Sequence, residues 1–304
     1  MSFRYDEIGN RLKAFRIASG LSADEIARRI GISRTALYRF ERGELAKIET
    51  LDKLAELLGV SIPTLLGVGI EFISSAVAYF ERLRQIEEEA QHIIVLAGPI
   101  SFLLASPNFE AMLEQLLIES ISPELANGAR LLQDVRIILG ILKQRKETFL
   151  RRRPAVVNLI SGLEIERLLR NGFVGKALLP PAEHQKRVAL ARKEIEHFAD
   201  LVAQQPIGVQ IGVVRDALPQ TGFQIFRLTD RRIMTLSPFR LGENPNVRVG
   251  VAMITSAEEA LALHEKAANE MWESALKGQA ASNYLRSLMA ATEASGPARR
   301  AASQ

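Results

Sequence analysis

Residues 21–43 read LSADEIARRIGISRTALYRFERG, and the pattern is that of two short helices joined by a tight turn. Ser22 stands where a helix begins, and Glu25 three residues on gives the pair the form of a capping box. Ile26, Ala27 and Ile30 supply an inner stripe, with Ala27 small enough to let another helix approach. Gly31-Ile32-Ser33 then makes a compact turn. Glycine tolerates the left-handed conformation that ends a helix, and Ser33 is suited to cap the next one. Leu37 and Phe40 point inward in that second helix, and Gly43 ends it.

Two helices so joined form a helix-turn-helix. The major groove of B-form DNA admits one helix, and the second helix of the pair lies there with its N-terminal residues at the base edges. With Leu37 and Phe40 assigned to the core, the outer face keeps Arg34, Thr35, Tyr38, Arg39 and Arg42. Arg34 sits in the first turn and is the expected bidentate partner of a guanine. Thr35 suits a thymine methyl or a phosphate, and Tyr38 either. Arg29, Arg39 and Arg42 are expected on phosphates, which set register rather than sequence. The alternative for such a cluster is a solvated helical face.

Reading outward, Ile8, Leu12 and Phe15 mark a preceding helix that Gly20 ends. Leu51, Leu54, Ala55 and Leu58 mark a following one, and Leu65 and Leu66 a short fifth helix with Pro63 in its first turn. Together the segment resembles the Cro/CI-type (XRE family) helix-turn-helix domain, an all-α, lambda-repressor-like unit. The matching residues are Arg16, Gly20-Leu21-Ser22, Glu25, Ala27, Gly31, Ser33, Glu41, Gly43, Leu54, Leu58 and Val60. The resemblance implies double-stranded DNA as partner and a salt bridge between Arg16 and Glu41 that ties the first helix to the end of the recognition helix. The full expected DNA-contacting set is Ser22, Ala23, Arg29, Ser33, Arg34, Thr35, Tyr38, Arg39 and Arg42. Two positions depart from the family, which often has glutamine where Ala23 and Arg34 stand. The first change removes a contact, and the second implies a different operator.

The remainder sets the domain plan. The chain has 304 residues, of which 47% are hydrophobic, and a net charge of +4. That is enough for two domains, with a mild basic excess that permits nucleic-acid binding without demanding it. Cysteine is absent, which excludes disulfides, a thiolate nucleophile and a cysteine zinc site. No targeting segment is visible, and the longest uncharged apolar run, 93–106, is too short for a bilayer. A cytoplasmic, membrane-free protein is expected. The plan is a helix-turn-helix domain over 1–69, a connector or dimerisation helix over 70–91, a larger α/β domain with a mixed sheet over 92–290 and a disordered tail over 291–304, α+β overall. In the connector, Ile70, Ile73, Val77 and Phe80 form a heptad-like stripe, or an ordinary amphipathic face. A homodimer is expected because helix-turn-helix proteins usually read two half-sites.

In the α/β domain, strands are expected at 92–97, 135–142, 208–215, 223–228, 233–236 and 247–255, with a hairpin turn at Leu228–Arg232. Helices are expected from Pro107, capped by Ser106, over 163–170 and 182–203, and over 257–277 with Ser256 and Glu259 as a capping box. The sequence has no Walker motif, no GxGxxG loop and no GxSxG elbow, and no catalytic residue, metal or cofactor is expected. His264-Glu265-Lys266 is faintly similar to the His-x-Lys core of phospholipase D-type enzymes, but Met271 stands where their aspartate is needed. An enzyme of that or a nucleotide-processing type, tethered to a DNA-binding module, is the alternative function. Lys143, Arg145, Arg151, Arg152 and Arg153, with Lys146, follow the run at 135–142. Beyond a strand's carboxyl end such cations suit a small acidic effector. The alternatives are flanking DNA or a solvated helical face.

Overall fold

The structure is a computed structural model that describes residues 5–294 apart from 45, 97, 122–127, 177, 217 and 220. The N-terminal end is all helical: α1 Tyr5–Ser19, α2 Ala23–Ile30, α3 Arg34–Glu41, α4 Ile48–Leu58 and α5 Ile62–Leu66. The punctuation works as written. Ser22, Ser33 and Ser61 each accept a backbone N–H three residues on, at 3.1–3.2 Å. Gly31, Gly59 and Gly67 end their helices at φ 77°, 68° and 69°. Half of the capping box is missing, because Glu25 turns its carboxylate to Arg28 and Arg29.

Then follow β1 Ile70–Ile73, α6 Ala76–Glu89, β2 His92–Leu96, a 3₁₀ turn Phe102–Leu104, α7 Pro107–Glu119, α8 Gly128–Arg152 and β3 Ala155–Ser161. The chain continues with α9 Gly162–Asn171, α10 Pro181–Gln204, β4 Val209–Val214, β5 Phe223–Arg227, β6 Arg232–Leu236, β7 Ala252–Thr255, α11 Glu258–Ser274 and α12 Gly278–Ala294. The strands form one mixed sheet in the order β1-β7-β6-β5-β2-β3-β4. Strands β2, β3 and β4 run parallel through helical crossovers, and the others pair antiparallel. The side chains alternate faces, as strands require. Ile93 and Val95 enter the larger core beneath α6 and α8, while Ile94 and Leu96 enter a smaller one that includes Leu261 and Ala268 of α11.

Several expectations are corrected. Residues 135–142 are helical, inside α8. Their β-branched richness imitates a strand, but Val135, Ile138, Ile141 and Leu142 are buried at helical spacing. A short apolar run does not reveal its period. The expected helix over 70–91 is two elements. Ile70–Ile73 pairs with Ala252–Thr255 as an edge strand, and Ser75 caps α6. Helix α6 is buried on nearly every side, from Ala76 to Glu87, and packs on α1 and α8. That leaves it almost no surface for a second copy. Strand β3 was not foreseen, since its continuous apolar run AVVNLIS is the pattern of a strand covered on both faces. Of 247–255 only the last four residues form a strand. Asn246 ties the loop before it by donating to the carbonyls of Pro238 and Val249. The cap of α11 is Ala257, with Thr255 accepting its N–H at 3.1 Å, in place of the Ser256–Glu259 box. Of the tail, 291–294 complete α12, and 295–304 lie outside the described residues. Among the described residues no helix is long and apolar enough to cross a membrane.

The two ends of the chain are joined through buried charge. Arg82 of α6, only 1% exposed, donates to Glu71 of β1 at 3.1 Å and to Glu7 of α1 at 3.2 Å. Arg11 also pairs with Glu71, and Arg231 of the β5–β6 turn with Glu7. Gln85 bridges Arg82 to the carbonyl of Asn10. Every charge in the cluster has an opposite partner, the condition for burying ions at all.

Candidate nucleic-acid interface

Helix α3, the expected recognition helix, is held by α1. Gly9 is the contact point: a Cβ there would lie 2.5 Å from the Glu41 carbonyl oxygen, so only glycine permits this approach. A Cβ at Gly43, which sits at φ 93°, would lie 2.9 Å from the Asp6 backbone nitrogen. Arg16 grips Glu41 with two hydrogen bonds, the second at 3.1 Å, and the pair is largely buried. This is the Arg16–Glu41 bridge that the family resemblance implied. It fixes where the end of α3 sits more than it stabilises the fold.

Leu37 fills the core beneath α3, fully buried against Leu12, Ile26 and Leu54. That leaves Ser33, Arg34, Thr35 and Arg39 exposed, Tyr38 half-buried, and Arg42 exposed just past the helix. Arg34 lies 5.4 Å from the Tyr38 ring, and Arg16 approaches the same ring at 5.9 Å. Both distances are within cation–π range. Across the turn, Ser22 and Arg29 of the first helix are exposed. Ala23 is not: it is 6% exposed and packs into the helical core. Its side chain is therefore removed from the expected contacts, because α3 and α4 need the small residue inside.

The exposed cations already have acidic neighbours. Arg29 donates to Glu25 at 2.6 Å, Arg34 lies 3.3 Å from Asp24, and Arg39 pairs with Glu44. The hydrogen bond from Arg29 holds the Glu25 carboxyl below its ordinary range, and that from Arg39 does the same for Glu44. Glu25 and Glu44 therefore stay ionised at neutral pH, and a phosphate would have to displace them to reach Arg29 or Arg39.

The basic cluster of α8 is placed differently. It ends a helix and precedes β3 at that strand's amino end, so the crevice beyond a strand's carboxyl end does not apply. Lys143, Arg151, Arg152 and Arg153 are exposed. Arg145 is buried, holding Glu87 at 2.7 and 2.8 Å between the Phe80 and Phe102 rings, and Lys146 donates to the Ala105 carbonyl at 2.7 Å. The five do not converge. His264 bonds the Ala260 carbonyl at 2.8 Å within its own helix, Glu265 pairs with Arg227 and Arg232, and Lys266 is exposed.

Comparison with known proteins agrees with this reading of the N-terminal domain. Residues 12–65 match the helix-turn-helix family. No curated protein matches the sequence. Among solved structures, TrmBL2, described as an archaeal chromatin protein with a novel mode of DNA binding, aligns over 88% of this chain and 93% of its own. The identity is 12% and the TM-score 0.31, a likeness too slight to carry an argument.

Proposed function

We propose that the protein is a sequence-specific transcriptional regulator that binds a palindromic operator as a homodimer through α3, and that its α/β domain adjusts operator affinity in response to a small acidic effector. The observation that supports it is the outer face of α3. Arg34, Thr35 and Arg39 stand exposed, with Tyr38 half-buried beside them, on a helix whose position is fixed by Gly9, Leu37 and Arg16–Glu41. A rigid helix with an arginine in its first turn suits bidentate reading of a guanine. Two copies related by a two-fold axis would read half-sites about one helical turn apart.

The test is operator selection from random duplexes with the wild type and with Arg34→Ala, followed by affinity against salt. A palindromic site should emerge, and Arg34→Ala should relax one base position in each half-site by roughly five- to hundredfold. If no site emerges at any salt concentration, the helix-turn-helix serves protein contacts and this reading is wrong.

A further inference from the structure

The helix-turn-helix domain does not close flush on the α/β domain. A cleft of about 570 Å³ remains between them, within the roughly 300–1,000 Å³ of small-molecule sites. One wall is Phe15 and Ala18 of α1 with Leu58 and Val60 at the α4–α5 turn. The other is Phe72 of β1, Val251 before β7 and Arg130 near the start of α8. Phe72 and Val251 are 53% and 55% exposed, large apolar side chains left open to solvent.

Arg130 is the only charged residue among those described that line the cleft. Its Nη2 donates to the Ala18 and Ser19 carbonyls at 3.3 and 3.2 Å. The guanidinium is thereby braced on the last turn of α1. Its Nη1 and Nε donate to no described residue; Asp134, one turn further along α8, feels its charge but is not among the residues that line the cleft.

We propose that this cleft is the effector site and takes a small amphipathic carboxylate, its apolar body against Phe15, Val60, Phe72 and Val251 and its charge on Arg130. The proposal rests on the effector-sensing part of the function above and places the ligand at the domain seam instead of on the α8 arginines. Because both domains supply walls, affinity for the ligand depends on how they sit, and operator affinity must then change by the reciprocal factor. Helix α1 is anchored near its N-terminus by Glu7 and borders the cleft at its C-terminal end. Occupancy acts on the tilt of α1, and α3 moves with it through Gly9 and Glu41.

The test uses the full chain with 4-phenylbutyrate and its uncharged counterpart 4-phenylbutanol, titrated calorimetrically without DNA. The acid should bind once per chain and about fivefold tighter than the alcohol, as one partly solvated ion pair allows. Arg130→Gln, an exposed position, should abolish that preference while leaving the alcohol unchanged. Val251→Trp, which fills the cleft from its rim, should weaken both at least tenfold. With the selected operator, saturating 4-phenylbutyrate should shift the affinity of the wild type and not that of Val251→Trp. Absence of saturable binding, binding indifferent to both substitutions, or binding without effect on the operator each overturns the proposal. Failure to select any operator while the acid binds as expected would instead sink the regulator reading and leave the cleft a ligand site.

Discussion

Glu7 of α1 and Arg82 of α6, 75 positions apart, meet at 3.2 Å in the seam between the two domains, and Arg82 is almost wholly buried there. The carboxylate belongs to the helix that carries the recognition helix, and the guanidinium to the helix at the centre of the α/β core.

Removing the cation leaves Glu7 and Glu71 buried with too little opposite charge. Arg82→Met should destabilise the protein by about 3–5 kcal/mol in denaturant unfolding, the usual cost of orphaning a buried ion. Glu7→Gln, which leaves Arg82 its bonds to Glu71, should cost much less. Burial pushes the Glu7 carboxyl up, but Arg82, Arg11 and Arg231 outweigh it and hold it below the ordinary 4.5. A carboxyl depressed in the folded state stabilises above its unfolded value and loses that contribution as pH falls through the folded one. Wild type should therefore lose stability below about pH 4.5 more steeply than Glu7→Gln. Parallel pH profiles would contradict this.

Arg39 and Glu44 make the opposite kind of pair, exposed and exchangeable. Arg39→Ala should weaken binding to all duplexes alike and lower the slope of log affinity against log salt by about 1. Glu44→Gln should tighten binding about two- to threefold, since Arg39 no longer has a competing partner. Fluorescence anisotropy over a salt series reads both, and a change in base preference would reassign Arg39 to readout.

Two glycines in helices should respond with opposite signs. Alanine normally gains about 0.5–1 kcal/mol over glycine in a helix interior. At Gly140 of α8 nothing stands within 4 Å of the added Cβ, so Gly140→Ala should stabilise by about that amount. At Gly9 the Cβ meets backbone that cannot yield, and Gly9→Ala should destabilise by about 1–3 kcal/mol and weaken operator binding. Thermal unfolding decides. A stabilised Gly9→Ala would mean that α1 and α3 are not held this closely.

Asn158 lies in the middle of β3, fully buried, and neither atom of its amide has a partner among the described residues. Burying an unpaired amide costs more than an apolar group of similar shape. Asn158→Val, well suited to a strand, should raise stability by about 1 kcal/mol. A marked loss would show that the amide is bonded, to water or to a ligand.

The N-terminal domain was legible because its signals are local. Ser22, Ser33, Gly31 and Gly59 set helix boundaries within a few residues of themselves, and Leu37 and Leu54 show the inner face at helical spacing. The α/β domain was less so because its decisive facts are distant. Ile70–Ile73 is a strand only because Ala252–Thr255 lies beside it. The run at 135–142 is helical because α6 offers a surface to its Val135–Ile138–Leu142 stripe. Arg145 was expected at an acidic effector and Arg82 drew no expectation, since Glu87, Glu7 and Glu71 have no positional relation to them that a pattern reveals. Ala23 was misplaced for a related reason: its position in the family suggested a contact, and its size sent it inward.

The shared core of Phe15, Ala55 and Leu65 with Ile73, Val77 and Phe80 makes the DNA-reading module a poor candidate for transplantation. Cut after Gly69, it would carry an oily flank into water and strand Glu7 beside Arg11 without its principal counterion. Grafted onto a foreign partner, it would need that partner to reproduce the surface of α6. A substitution on one side of the seam should therefore call for a compensating substitution on the other.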